Sequence, residues 1–129
     1  MAVRVLIVDD NEVIRDGLRS ILVIHDDITV VGEAVHGRDA LDKVTQLDPD
    51  VILMDAQMPC MDGIEATRTI KQRDPVRQIL FLTVYSSYAA DAQAAGADAF
   101  LLKDCGREAL VAAVRQLGQS GAQLLERTA

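Results

Sequence analysis

The sequence is poor in aromatic residues and in cysteine. It has no tryptophan, and aromatic residues make up 3% of its 129 residues. It therefore lacks the stacking platforms with which many proteins bind single-stranded nucleic acids. The two cysteines, Cys60 and Cys105, are too few for a disulfide framework and lack the spacing of zinc ligands. We expect unpaired, reduced thiols and a cytoplasmic protein.

Basic residues and long apolar runs are also scarce. Thirteen Lys and Arg stand against 20 Asp and Glu, which gives a formal net charge of −7. We expect no binding of nucleic acid by this chain alone, and none to an anionic membrane surface. The apolar stretch 1–8 ends at two aspartates and is too short for a signal peptide or a membrane span. Half of the residues are hydrophobic, which is typical of a globular domain with its own core.

Short apolar runs alternate along the chain with segments of helical period. Strands are predicted at 3–8, 28–34, 51–54, 78–83 and 97–102, and helices at 11–22, 37–47, 61–73, 86–95 and 106–117. Such a (βα)5 pattern predicts an α/β fold with a doubly wound five-stranded parallel sheet, most simply in the strand order 2-1-3-4-5. We expect one domain over residues 1–118, and a tail or the start of a linker over 119–129.

Polar residues stand at the ends of four predicted strands. Asp9 and Asp10 follow the first, Asp55 follows the third, Thr83 ends the fourth and Lys103 follows the fifth. In the expected strand order, the ends of strands 1 and 3 meet at the switch point, which brings the three aspartates together. Clustered carboxylates favour a hard cation such as Mg²⁺. A cation beside a lysine suggests a phosphoryl ligand, and an aspartate can itself be the nucleophile that accepts it.

These residues, with the segment DAQMPCMDG at 55–63, resemble the receiver domain of two-component response regulators over residues 3–118. The segments VGEA at 31–34 and LLKD at 101–104 resemble the NarL/FixJ-type subfamily. The resemblance implies a flavodoxin-like receiver fold and a sensor histidine kinase as the phosphoryl donor. It also implies control of transcription through a DNA-binding domain that this sequence does not include.

The resemblance further implies a role for each residue of the cluster. Asp55 would be the phosphoacceptor. Asp10, Asp55 and the backbone carbonyl of Gln57 would bind Mg²⁺, and Asp9 would do so partly through water. Lys103 would pair with a phosphoryl oxygen. The resemblance also implies that the protein is not an enzyme acting on a separate substrate, because it would catalyse only its own phosphorylation and dephosphorylation.

The resemblance assigns the conformational switch to Thr83, whose hydroxyl would bind the phosphoryl group, and to Phe100. The switch position is often Tyr in the family, so we expect Phe100 to act through packing alone. Many members have Pro after the lysine, but Asp104 follows here, and a cis bond is not expected. Gln57 and Tyr85 would flank the phosphoryl group, and we expect the bulk of Tyr85 to hinder attacking water.

Three alternatives stay open at this point. A stand-alone receiver would act by protein–protein contact, and whether phosphorylation produces a homodimer is undecided. A small phosphatase with an aspartate nucleophile would carry a second acid two residues after it, where this sequence has Gln57. A flavin-binding module would need a phosphate loop rich in Ser, Thr and Gly after strand 1, where Asp9 and Asp10 would repel the phosphate.

Overall fold

The computed structural model describes the backbone of residues 2–56, 58 and 61–128, with side chains up to residue 120. Within these residues the strands are Val3–Val8, Ile28–Ala34, Val51–Met54, Gln78–Thr83 and Ala99–Leu102, named β1 to β5. The helices are Glu12–Leu22, Gly37–Leu47, Gly63–Arg73, Ala89–Ala95 and Arg107–Thr128, named α1 to α5. All paired strands are parallel, in the order β2-β1-β3-β4-β5. The predicted doubly wound α/β fold is confirmed.

Two hydrophobic clusters cover the two faces of the sheet. The first packs alternate strand residues such as Leu6, Ile52 and Phe81 against α2, α3 and α4. The second packs the intervening residues, among them Ile7 and Leu53, against α1 and α5. Because both faces are covered, the inner strands are apolar at nearly every position, and this is why they read as continuous apolar runs in the sequence.

Side-chain caps begin two helices directly beside the ends of inner strands. The Asn11 side chain accepts a hydrogen bond from the Ile14 amide at 3.1 Å, and Asp62 accepts one from the Glu65 amide at 2.8 Å. Each cap satisfies an amide that the helix itself leaves without a partner. The caps thus fix short turns after β1 and before α3, and the polar residues of the carboxyl edge lie on or next to these turns.

The fourth helix and the fifth strand begin later than predicted. Residues Ser86–Tyr88 form a 3₁₀ turn, and α4 proper starts at Ala89. The strand β5 starts at Ala99 because the amide of Ala97 donates to the carbonyl of Ala92 at 3.0 Å and so closes the end of α4. Gly96, with φ of 105°, makes that helix end.

The last helix continues to Thr128, whereas the sequence predicted an end at Leu117. Gly118, the residue after the predicted end, lies inside the helix and has a packing role. A Cβ atom at Gly118 would lie 2.6 Å from Cγ2 of Val3, so glycine lets α5 pass close to the start of β1. The division of the chain at residue 118 remains a prediction. Within residues 2–56, 58 and 61–128, none of the helices combines the length and the hydropathy that a membrane span requires.

Candidate functional site

The three aspartates meet at the carboxyl edge of the sheet, as the strand order predicts. Val8 and Met54 are register partners, and the Asp55 amide donates to the Val8 carbonyl at 3.0 Å. Asp9, Asp10 and Asp55 each offer a carboxylate oxygen, and these oxygens all lie within 4.8 Å of one another. Asp9 and Asp55 are buried, whereas Asp10 is exposed. The cluster is therefore a half-buried acidic pocket that opens to solvent on the side of Asp10.

Lys103 places its ammonium group between two of these carboxylates. Its Nζ lies 2.8 Å from Oδ2 of Asp9 and 3.0 Å from Oδ1 of Asp55. The end of β5 is held in turn because the Lys103 amide donates to the Thr83 carbonyl at 2.8 Å. One ammonium group cannot neutralise three carboxylates, so the pocket keeps a negative charge.

Burial and the neighbouring charges both shift the pKa values of Asp55 and Lys103. Burial raises the pKa of Asp55, and the charge of Asp9 raises it further, although the hydrogen bond from Lys103 acts in the opposite sense. Burial by itself would lower the pKa of Lys103, but its bonds to Asp9 and Asp55 outweigh burial and raise it. The lysine is therefore held in its charged form, while the ionised form of Asp55 is disfavoured without a further cation.

The donor set suits a hard divalent cation. Three carboxylates supply oxygen ligands, and the open side at Asp10 leaves room for water, which Mg²⁺ retains when it binds to proteins. Gln57, predicted to add a backbone carbonyl, lies outside the described residues, as does Cys60.

Thr83 and Phe100 lie on the adjacent strands β4 and β5. Thr83 is buried, and its Oγ1 accepts a hydrogen bond from the Tyr85 amide at 3.3 Å. Phe100 is a register partner of Phe81, and the two rings stack with centroids 6.2 Å apart and an angle of 12° between their planes. Among the described residues, the Thr83 hydroxyl donates to no acceptor, and the Phe100 ring packs on an aromatic neighbour.

Two further predicted features fall on the loops around the site. Tyr85 is 53% exposed, and its ring centroid lies 6.2 Å from that of Tyr88. No peptide bond between described residues is cis, so the bond between Lys103 and Asp104 is trans. The structure therefore leaves the Tyr85 ring at the surface, two residues beyond Thr83.

One further contact to the cluster could not be predicted from the sequence. Arg15, on the second turn of α1, donates from Nη1 to the backbone carbonyl of Asp9 at 2.7 Å and from Nε to Glu33 at 2.9 Å. Glu33 is a register partner of Ile7, so only the pairing of β1 with β2 brings it near α1. A side chain at the end of β2 is thereby linked to the turn that carries Asp9 and Asp10.

Comparison with known proteins decides the family. The response regulator receiver domain family matches residues 5–115. The chain belongs to this family. It is 36% identical over 124 residues to the transcriptional regulatory protein DegU of Brevibacillus brevis, covering 95% of this chain and 52% of that protein. It is 41% identical over 121 residues to the response regulator protein VraR of Staphylococcus epidermidis, covering 90% and 56%.

Solved structures agree with this assignment. The signal receiver domain of the putative response regulator NarL from Mycobacterium tuberculosis superposes with a TM-score of 0.87 at 32% identity, covering 92% of this chain and 97% of that one. The response regulator domain of Thermotoga maritima CheB gives a TM-score of 0.86 at 31% identity, covering 92% and 98%. The predicted NarL/FixJ-type receiver is confirmed. The chain spans about half the length of the curated relatives it matches.

Proposed function

We propose that this receiver accepts a phosphoryl group from a sensor histidine kinase onto Asp55, with Mg²⁺ as cofactor. The observation that supports this best is the ammonium group of Lys103, placed between Asp9 and Asp55 in a pocket that keeps a net negative charge. A cation with oxygen ligands would balance that charge. A phosphoryl group would then find a metal ion and a lysine beside the acceptor carboxylate.

The transfer itself needs little covalent work from the protein. The Asp55 carboxylate attacks phosphorus in line, the bond from phosphorus to the histidine nitrogen breaks, and the imidazole leaves. Asp9, Asp10 and Asp55 would hold Mg²⁺, with the Gln57 carbonyl, and the bound ion would offset the charge of the phosphoryl oxygens. Lys103, already 3.0 Å from Asp55, pairs with one of these oxygens. Positioning and charge supply most of the catalysis.

The phosphorylated state is read out through Thr83 and Phe100. The Thr83 hydroxyl turns to donate to a phosphoryl oxygen, and Phe100 repacks against Phe81, so the surface formed by β4, α4 and β5 changes. A shift of a two-state equilibrium from 1:99 to 99:1 needs about 5.5 kcal/mol. Two or three charge-assisted hydrogen bonds, each about 1.5–3 kcal/mol, are of the right size.

The similar proteins indicate what the phosphorylated receiver controls. They are named as transcriptional regulatory and response regulator proteins, and this chain matches about half of their length. We propose that the full protein is cytoplasmic and controls transcription through a DNA-binding part. The receiver, with a net charge of −7, does not itself contact DNA. Its only catalysis is its own phosphorylation and dephosphorylation.

A titration with beryllofluoride tests this proposal, since that anion occupies a phosphoacceptor site without chemical turnover. We expect Mg²⁺-dependent binding, followed by amide NMR, with the largest changes at Thr83, Phe100 and α4. Thr83→Ala should bind but show smaller changes around Phe100. No binding in the presence of Mg²⁺, or binding that persists in Asp55→Asn, would contradict the assignment of the site.

A further inference from the structure

The turn between β1 and α1 is held by a side chain that does not enter the acidic pocket. Arg15 lies in α1, and its Nη1 donates to the backbone carbonyl of Asp9 at 2.7 Å. Its side chain is 12% exposed, so the contact is largely shielded from water. That carbonyl belongs to the peptide between Asp9 and Asp10, and its direction sets the orientation of the peptide.

The guanidinium group of Arg15 also binds an anchor, Glu33, which two further side chains contact. Its Nε donates to Oε1 of Glu33 at 2.9 Å, while Arg19 occupies Oε2 at 2.8 Å. The backbone carbonyl of Glu33 accepts a hydrogen bond from Lys43 of α2 at 2.8 Å. Although burial acts to raise the pKa of Glu33, the bonds from Arg19 and Arg15 lower it overall, so Glu33 is ionised. The anchor therefore joins α1, β2 and α2.

The Asp9 side chain is restrained as well. Its Oδ1 accepts a hydrogen bond from the Asn11 amide at 2.9 Å, and its Oδ2 accepts one from Lys103 at 2.8 Å. The exposed carboxylate of Asp10 has no ion-pair partner within the part of the chain that the structure describes. Its position therefore depends on the backbone of the turn, which is the part that Arg15 holds.

We propose that Arg15 is a positioning residue for the cation site. It ties the peptide between Asp9 and Asp10 to Glu33 and so presets both aspartates for binding Mg²⁺, without touching the ion or the phosphoryl group. Glu33 offsets only part of the positive charge of Arg15, since the same carboxylate also binds Arg19. This inference rests on the proposed function, because it assumes that Asp9 and Asp10 bind the ion.

The test compares two arginines that share one partner. Arg15→Gln removes the contact to the Asp9 carbonyl and one contact to Glu33. The matched control, Arg19→Gln, removes the other contact to Glu33 but leaves the turn untouched. Calorimetric titration with Mg²⁺ measures the affinity, and thermal unfolding in EDTA measures stability without the ion.

We expect Arg15→Gln to weaken Mg²⁺ binding at least about tenfold, the size typical when a residue that orients metal ligands is lost. Arg19→Gln should keep an affinity within about twofold of wild type, because the contact to Asp9 remains. Arg15→Lys keeps the charge but cannot reach both partners, so we expect an intermediate affinity. These differences should hold at a temperature where thermal unfolding shows that every variant is folded.

Two results would overturn the positioning role of Arg15 and leave the proposed metal site standing. One is wild-type affinity in Arg15→Gln, and the other is an equal loss in Arg15→Gln and Arg19→Gln, which would indicate a structural role of the Glu33 network. If the wild-type protein takes up no Mg²⁺, the proposed metal site itself fails, and the inference fails with it. The titration of wild type thus separates the two failures.

Discussion

A methyl group added at Gly63 should disturb the backbone of Asp55 directly. Gly63 is the first residue of α3, and its amide donates to the Ala56 carbonyl at 2.9 Å. A Cβ atom built on Gly63 would lie 1.8 Å from the backbone oxygen of Asp55, whereas real Cβ atoms essentially never come closer than 3.0 Å. Gly63→Ala therefore requires α3 or the Asp55 backbone to move by about 1.2 Å, the difference between these two distances.

The expected consequences are a loss of stability and a larger loss of phosphorylation. Forced overpacking of this kind costs about 1–3 kcal/mol of unfolding free energy. A displacement of about 1 Å at a reacting group costs about 100-fold in rate. Urea unfolding measures the first quantity, and the rate of phosphorylation by acetyl phosphate with Mg²⁺ measures the second.

Gly17 provides the matched control. It lies inside α1, and a Cβ atom there would meet nothing within 4 Å. Because alanine is the better helix former, we expect Gly17→Ala to gain about 0.5–1 kcal/mol of stability and to keep the wild-type phosphorylation rate. Wild-type stability and rate in Gly63→Ala would refute the reasoning from this close approach.

Three further predictions follow from single side chains. Since burial and the charge of Asp9 raise the pKa of Asp55, its ionised form destabilises the fold. Without Mg²⁺, Asp55→Asn should therefore melt at a higher temperature than wild type at pH 7, and the difference should vanish as the pH falls through the pKa of Asp55. A lower melting temperature of Asp55→Asn at pH 7 would contradict this. Tyr85→Ala should dephosphorylate faster, because the exposed ring lies two residues beyond Thr83; an unchanged rate would refute a shielding role. The buried hydroxyl of Thr67 has no hydrogen-bond partner among the described residues. Thr67→Val should therefore raise the free energy of unfolding, measured in urea, by up to about 1 kcal/mol. Thr69→Val is the control and should not raise it, because that hydroxyl bonds to the Glu65 carbonyl at 3.0 Å.

The first four strands and the first three helices could be predicted because local signals agree with the packing. The inner strands are apolar at nearly every position, and Asn11 and Asp62 cap helices close to the predicted helix starts. The prediction was wrong where one residue serves two purposes. The last helix does not end at Leu117 as predicted, and Gly118 lets it pack against Val3; Ala97, predicted as strand, closes α4.

The acidic cluster could be predicted for a similar reason. Once the strand order is known, residues that follow β1 and β3 must be neighbours, whatever the details of packing. The contact from Arg15 to Asp9 and Glu33 could not be predicted in this way. It depends on the register between β1 and β2, which places Glu33 beside α1 and has no local signal in the sequence.

The intact mass of the protein after treatment with acetyl phosphate tests the central claim most directly. The account predicts one added phosphoryl group when the reaction contains Mg²⁺, none when it contains EDTA instead, and none in Asp55→Asn. A phosphoryl group on Asp55→Asn, or one that forms equally well in EDTA, would contradict Asp55 as a metal-dependent acceptor.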